Sequence, residues 1–458
     1  MILQPRPELH DIQGNILKPY AFPAAAHVFV HVGDAEAGRR WLSDRAETVT
    51  SAVDWGAAKP PPTTCNLALT FSGLEALGTS RPLLDSFPVA FREGMAARAG
   101  HLGDAGASGP PRWELGLGSG SAHVLVTLAG KERPAVEAAA RHLGAELDSF
   151  GLDVVFEQPA HGLRGSREHF GFADGFSQPT IRGVPATPGS DGVPGRFGRQ
   201  RPLPLGEFVH GYPDFDGRRP PTPGPPFGRN GCYQVWRKLA QDVPGFRAFV
   251  RSQAHEHAIG EDLLAAKIVG RWRDGTPLAL RPHRPDSALA RDMRRINRFD
   301  YRDDPDGLRC PVGAHVRRAN PRNSVGLGAA MTARHRMIRR GMPYGPALPQ
   351  HPEPDHAEPD HAEPDQDERG LIFVAFVADI ERQFEFVQQQ WCNDGDALRL
   401  SSDRDPLVGR GPGSGKMTVP GDPPRFLSPL PQFVTMRGGE YLFVPAISAL
   451  RALARGGC

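Results

Sequence analysis

Apolar residues along this chain alternate with polar ones in some segments and recur every three to four positions in others, so strands and helices can be read directly. His27 to Val32 (HVFVHV) reads as a strand. Asp34 stands at a helix N-cap position, with Trp41, Leu42 and Val49 on the inner side of the helix that follows. Leu67, Leu69 and Phe71 alternate as a half-buried strand does, and Val124, Val126 and Leu128 repeat the pattern. Val136, Ala140, Leu143 and Leu147 fall at i, i+4, i+7 and i+11, one face of a helix. Val154 to Phe156 closes the series with another strand.

That order, β, α, β and again β, α, β, is the split βαβ arrangement termed ferredoxin-like, an antiparallel sheet with helices on one face. The second half repeats the plan. Cys232 to Arg237 (CYQVWR) is strand-like, and Leu239, Val243, Phe246 and Val250 form a helical stripe. Leu371 to Ala378 (LIFVAFVA) is apolar throughout and is expected to be a central strand buried on both faces. Ile380, Phe384, Val387 and Trp391 give another helical stripe, and Tyr441 to Val444 a late strand. The expected fold is therefore α+β, with a ferredoxin-like domain over residues 1–165 and a second, loop-rich one over residues 166–458. Loops as long as 183–230 wrap something or carry function. Residues 351–365 read HPEPD, HAEPD, HAEPD. Proline every five residues and many acids exclude a packed element there and predict a solvated insertion, in which histidines and acids together can also hold a metal ion loosely.

Composition narrows the classes. With 53 Gly and 47 Pro in 458 residues and 39% apolar residues, the chain has real cores joined by many loops. Lysine plus arginine number 54 against 52 acids, a net charge of +2, which gives no basis for a nucleic-acid or membrane-surface partner. Five widely spaced cysteines with no CxxC pair exclude a disulfide scaffold and covalent haem attachment through CxxCH, and fit a reducing compartment. No signal peptide and no bilayer-spanning run is visible, so a cytoplasmic location is expected.

Three stretches carry candidate chemistry. In GFADGFSQP (171–179), one acid, Asp174, lies among glycines and phenylalanines that allow close backbone approach and dry the surroundings. In CPVGAHVRRANPR (310–322), His315 follows two small residues that leave room for a bulky group, and precedes Arg317 and Arg318, which can answer anionic groups on a ligand. A neutral imidazole is a common axial ligand of haem iron. In RHRMIRRGMPYG (334–345), Arg339 lies 24 residues beyond His315. Splitting peroxide at a haem needs a base that moves a proton from the near to the far oxygen, a cation for the leaving oxygen, and an electron-donating ligand on the opposite face of iron. A carboxylate, a guanidinium and an imidazole match those needs.

The sequence resembles the dye-decolourising peroxidases. GFADGFSQP matches that family's GxxDG signature, GAHVRRANPR its proximal-histidine segment and IRRGMPYG its distal-arginine segment. The likeness runs from DIQGNIL (11–17) through GEFVHGYPD (206–214) to RGLIFVAFVADIERQFEFVQQQW (369–391) and RGGEYLFVP (437–445). It leans toward the larger members, often grouped as types C and D. The resemblance implies one non-covalent haem b per chain, with His315 as proximal ligand, Asp174 as distal acid–base and Arg339 as distal cation. Leu371 and Phe373, two apart on a strand, would form a dry wall over the distal haem face; ordinary sheet core is the alternative for both. Hydrogen peroxide and small aromatic reductants such as dyes and phenolics would be the substrates, turned over through a ferryl intermediate, with a homo-oligomer compatible with the long loops.

The chain departs from some family members at Gly341, where an asparagine can stand two positions after the arginine; Arg339 must then carry more of the charge stabilisation. Asp394 and Asp405 are both candidates to accept the second N–H of His315, as is a backbone carbonyl. With Asp174 supported by Arg339, activity is expected to peak in mildly acidic solution. Large dyes cannot reach a buried haem, and Tyr344 and Trp391 are candidates to pass electrons inward, against a plain packing role. Two other readings compete: a haem carrier or iron-releasing protein without turnover, and a scaffold of paired ferredoxin-like domains with no cofactor.

Overall fold

The computed structural model of the chain describes residues 5–56, 59–187, 189–194, 200–326, 328–347, 367–411 and 415–458. The HPEPD–HAEPD tract lies outside the described residues. Among the described residues, nine strands form one sheet: β1 (Ala24–His31), β2 (Thr63–Leu69), β3 (Val124–Gly130), β4 (Asp153–His161), β5 (Cys232–Gln241), β6 (Ile338–Arg339), β7 (Met342–Tyr344), β8 (Gly370–Val377) and β9 (Val434–Val444). Their order is β4–β1–β3–β2–β9–β5–β8–β6, with β7 also on β8, and every pairing is antiparallel.

The first half therefore has its strands in the order fourth, first, third, second. The second half repeats that order if β6 and β7 together count as its second strand. The expected pair of ferredoxin-like units is present, fused edge to edge through Leu69 on β2 and Phe443 on β9. At the far ends β4 lies against β7, so the sheet curls toward closure. Gln13, fully buried, ties the halves together: its amide donates to the Leu67 and Pro445 carbonyls at 2.8 and 3.0 Å and accepts from the Leu67 N–H at 2.9 Å.

Helix α1 (Ala35–Ala46) starts where Asp34 accepts the Ala37 N–H at 2.7 Å, the expected cap, worth about 1 kcal/mol. Helix α2 (Arg133–Phe150) buries Val136, Ala140, Leu143 and Leu147. With Trp41 and Leu42 these pack on Val28, Val30, Leu67 and Val126 of the sheet. Each such aliphatic residue contributes roughly 1.5–3 kcal/mol of burial. The opposite face of the sheet carries a second core around Phe29, Leu125, Trp236, Ile372, Val374 and Leu442. A third core surrounds α3 (Val243–Glu256), with Phe246, Trp272, Cys310, Ala314 and Phe433.

Four expectations change at element edges. Val49 is buried but lies beyond the end of α1. Phe71 begins a helix, Phe71–Ala76, because Thr70 caps it through the Gly73 N–H. Leu239 belongs to β5, and Asp242 caps α3 after it. The segment with Ile380, Phe384, Val387 and Trp391 buries all four but winds as two π-helical stretches, Ile380–Glu385 and Val387–Asn393. Strand β8 is central, but it is not buried on both faces along its whole length: Leu371 and Phe373 are half-buried while Ile372 is fully buried.

Candidate haem site

His315 opens the short helix α4 (His315–Ala319). The helix is pinned from behind, since the N–H groups of Arg317 and Arg318 both donate to the Ala314 carbonyl. Arg317 and Arg318 are both buried, at 1% and 0% exposed. Arg317 pairs with Asp304 at 3.2 Å, donates to the Cys310 carbonyl at 2.7 Å and lies over the Tyr301 ring. Arg318 donates to the Trp391 carbonyl at 2.7 Å, binding α4 to the second π-helical stretch. Ala314 packs into the third core.

The imidazole itself is held by Asp405, which decides between the two carboxylates that the sequence leaves open. His315 Nδ1 and Asp405 Oδ2 are 2.9 Å apart. The other oxygen of Asp405 accepts the Leu407 and Val408 N–H groups, each at 2.9 Å, and its own N–H donates to the Cys392 carbonyl. Asp394 instead accepts the N–H of Asp396. Burial alone would depress the pKa of His315, but the charge and hydrogen bond of Asp405 raise it above the usual range. Burial pushes the Asp405 carboxyl up, and His315 with the two backbone donors outweighs it and holds the pKa low. Nε2 of His315 has no hydrogen-bond partner among the described residues, and the side chain is 29% exposed.

Asp174 is exposed on the loop between β4 and β5, and its N–H donates to the Ser166 carbonyl at 2.8 Å. Gly175 follows with φ +86°, a left-handed conformation, and with open space where a side chain would be. The charge of Asp174 acts on both Arg339 and His315. Arg339 lies on β6 directly opposite Ala375 of β8. Side chains two apart on a strand share a face and directly opposed residues share it too. Arg339 therefore stands on the same sheet face as Phe373 and Leu371. Its guanidinium donates to the Phe176 carbonyl at 2.9 Å, and its N–H donates to Gln178 at 3.0 Å. Burial lowers the guanidinium pKa and Asp174 opposes that shift.

Gly341 has a structural cause. A Cβ there would meet the Ile372 carbonyl oxygen of β8 at 2.8 Å. Tyr344 and Trp391 are 2% and 3% exposed, so neither is a surface ring. The Tyr344 hydroxyl donates to Glu368 at 3.1 Å, and Trp391 packs against Phe386 and His335. Glu168 was not singled out by the sequence. Its carboxylate accepts the Phe170 and Phe172 N–H groups and the Gln241 amide, and its charge reaches both Asp174 and His315. An acid six residues ahead of a signature acid carries no motif of its own.

These residues fit a haem. An imidazole with one nitrogen anchored on a buried carboxylate and the other free is the donor that an iron porphyrin needs. Half-buried apolar Leu371 and Phe373 share a face with Arg339. All five cysteines are free thiols, none placed for thioether attachment by CxxCH. Among the described residues, no helix is long and apolar enough to cross a membrane.

Comparison with known proteins identifies the family. Residues 11–155 match the model of the DyP dimeric alpha+beta barrel domain, and residues 221–403 that of the C-terminal domain of Dyp-type peroxidases. The dye-decolorizing peroxidase msp1 of Mycetinis scorodonius is 32% identical, over 97% of this chain and 87% of the relative. The structure of an ancestral D-type dye decolorizing peroxidase superimposes with a TM-score of 0.83 at 28% identity, over 98% of this chain and 99% of that one. A dye-decolorizing peroxidase solved in complex with 2,6-dimethoxyphenol superimposes with a TM-score of 0.80 at 29% identity, over 98% of this chain and all of that one. Length, identity and architecture agree, and the chain belongs to the dye-decolorizing peroxidase family of haem-dependent peroxidases.

Proposed function

We propose that the chain binds one non-covalent haem b, chiefly through residues 166–458, and uses hydrogen peroxide to oxidise small aromatic donors such as phenols and dyes. The haem, when bound, would supply the iron at which peroxide is split and would hold the two oxidising equivalents that peroxide delivers until donors take them up. The observation that carries the reading is a His315 ring anchored on buried Asp405 together with an Arg339 bound to the Phe176 carbonyl, two residues beyond Asp174. His315 would bind the iron through Nε2, with Asp405 fixing its ring and enriching its donation. Asp174 would take the proton from the near oxygen of peroxide and deliver it to the far one. Arg339 would stabilise the charge that develops on the departing oxygen. Leu371 and Phe373 would exclude water from that face.

The phenol bound by the solved relative supports phenolic donors for this chain. Buried Tyr344 and Trp391 would serve as interior steps for electrons taken from bulkier dyes at the surface. Trp391 is the better connected, because its carbonyl meets Arg318 of the histidine helix and the carbonyl of its neighbour Cys392 meets Asp405. A haem carrier has no use for a distal acid and cation, and a cofactor-free scaffold has none for the His315–Asp405 pair.

The test is purification with added haem, a spectrum, and rapid mixing with peroxide for the native chain and Asp174→Asn. The native chain is expected to show a Soret band near ~400 nm and a fast spectral change with peroxide. Asp174→Asn should keep the band and slow the change by ~10²–10⁴-fold, the usual range for a positioned acid–base. Absence of the band removes the haem reading, and equal rates remove Asp174 from the chemistry.

A further inference from the structure

The loop that follows Asp174 has no regular secondary structure, yet its main chain is held at almost every residue. The Phe176 carbonyl accepts from Arg339 at 2.9 Å and the Ser177 carbonyl from Arg336 at 2.6 Å. The Gln178 carbonyl accepts the Asp191 N–H at 2.8 Å, and the Thr180 N–H donates to the Asp191 carbonyl at 2.7 Å. Ser177 takes φ +61°, a conformation that a residue with a side chain keeps only when its surroundings hold it. Apart from the Arg339 bond, these restraints meet at Asp191. Its carboxylate is 0% exposed and lies between two buried guanidinium groups, Arg336 at 2.6 Å and Arg322 at 2.8 Å. The Ser177 hydroxyl reaches the same carboxylate at 3.3 Å. Arg336, three residues before Arg339, is thus shared between Asp191 and the loop carbonyl.

We propose that Asp191 is a positioning residue for peroxide cleavage: its carboxylate balances Arg336 and Arg322, and so fixes the loop that carries Asp174 and anchors Arg339. The proposal rests on the peroxidase reading for its chemical consequence, but its structural half stands alone. Asp191 touches none of Asp174, Arg339 or His315 by hydrogen bond; it acts through Arg336 and the strip of main chain from Phe176 to Thr180. Without its charge, two guanidinium groups would face each other in the interior with no carboxylate between them. Arg336 would turn from the Ser177 carbonyl, and the acid and the cation would lose their fixed separation. Misplacement of about 1 Å in such a pair costs up to ~10²-fold in rate.

Hydrogen exchange of the haem-free chain tests the structural half in Asp191→Asn, Asp191→Glu and Arg336→Gln. Amide exchange over residues 175–180 should rise ~10-fold or more in Asp191→Asn and Arg336→Gln, beyond any change in α2, as a locally opened segment does. Cyanide titration and peroxide mixing of the haem-loaded forms test the other half. Asp191→Asn should bind cyanide ~10-fold more weakly and react with peroxide ~10²-fold more slowly, with Asp191→Glu recovering part of both. Exchange in 175–180 that rises only as much as in α2 would show a merely structural residue and overturn the proposal. So would unchanged cyanide affinity and peroxide rate in a folded, haem-loaded Asp191→Asn. If Asp191→Asn does not fold, Arg336→Gln decides by the same two readouts. A native chain with no Soret band would refute the peroxidase reading and, with it, the chemical half; the exchange result would still decide whether Asp191 holds the loop.

Discussion

His315 and Asp405 are ninety positions apart in the chain and 2.9 Å apart in space, imidazole Nδ1 against carboxylate Oδ2. Asp405 is completely buried, and its second oxygen is occupied by two backbone N–H groups, so the carboxylate cannot turn away. The ring orientation of the proposed iron ligand is thus fixed by a loop far along the sequence.

The pair predicts a pH window in the haem-free chain. A raised imidazole pKa contributes stability fully below its ordinary 6.5 and loses it as pH rises through the folded value. A depressed carboxylate pKa contributes above its ordinary 3.8 and loses it as pH falls through the folded value. Both act together between about 4 and 6.5. Asp405→Asn should cost about 3 kcal/mol there, the order for breaking a buried pair, and less at pH 8. Urea unfolding at pH 5.5 and pH 8 checks this, and equal losses at both pH values would count against an ion pair.

Glu440 on β9 predicts a second, separate pH dependence. It is 7% exposed, its Oε1 accepts the Gly118 N–H at 2.5 Å, and burial pushes its carboxyl up to about 8. The folded state holds a proton that the unfolded state has lost, so stability falls as pH rises from the ordinary 4.5 toward 8. Glu440→Gln keeps the acceptor and removes the titration. It should stabilise the chain by a few kcal/mol at pH 8, at roughly 1.4 kcal/mol per pKa unit, and change little at pH 4. Denaturant midpoints at the two pH values give the answer.

Gly341 cannot be given an asparagine cheaply. A Cβ meets the backbone oxygen of Ile372 at 2.8 Å, and that oxygen belongs to the central strand β8. Gly341→Asn should destabilise by about 1–3 kcal/mol, the usual cost of overpacking, with no gain in peroxide cleavage. Thermal unfolding together with peroxide mixing tests both parts.

Neighbouring positions on β8 should divide by face. Ile372→Ala removes a fully buried side chain and is expected to cost about 2–5 kcal/mol. Leu371→Ala, at a half-buried position, should cost about 1 kcal/mol or less in the haem-free chain but speed haem loss. Transfer of haem to an acceptor globin, measured for both variants, separates a pocket wall from ordinary sheet core; equal haem-loss rates for Leu371→Ala and the native chain would remove Leu371 from the pocket.

The sequence carried the elements whose side chains report their own environment. Val136, Ala140, Leu143 and Leu147 mark one helix face by spacing alone, and Asp34 marks its helix start, because both signals are local. The three site stretches were legible for a similar reason: an acid among glycines and an imidazole after two small residues stand out from their neighbours. Element edges were less legible. Phe71 and Leu239 continue an apolar pattern, but Thr70 and Asp242 cap helices there and shift the boundary.

By itself the chain's pattern determined two α+β halves, and the motifs pointed to His315, Asp174 and Arg339, because periodicity and residue type are local properties. Tertiary structure alone decided that Asp405 rather than Asp394 holds His315, that Arg317 and Arg318 turn into the core, and that Arg339 shares a face with Phe373. It also gathered Asp191, Arg322 and Arg336 behind the loop of Asp174. Those choices depend on strand register and on which buried charges meet. Both are fixed by contacts between residues a hundred or more positions apart in several cases, where no local signal exists.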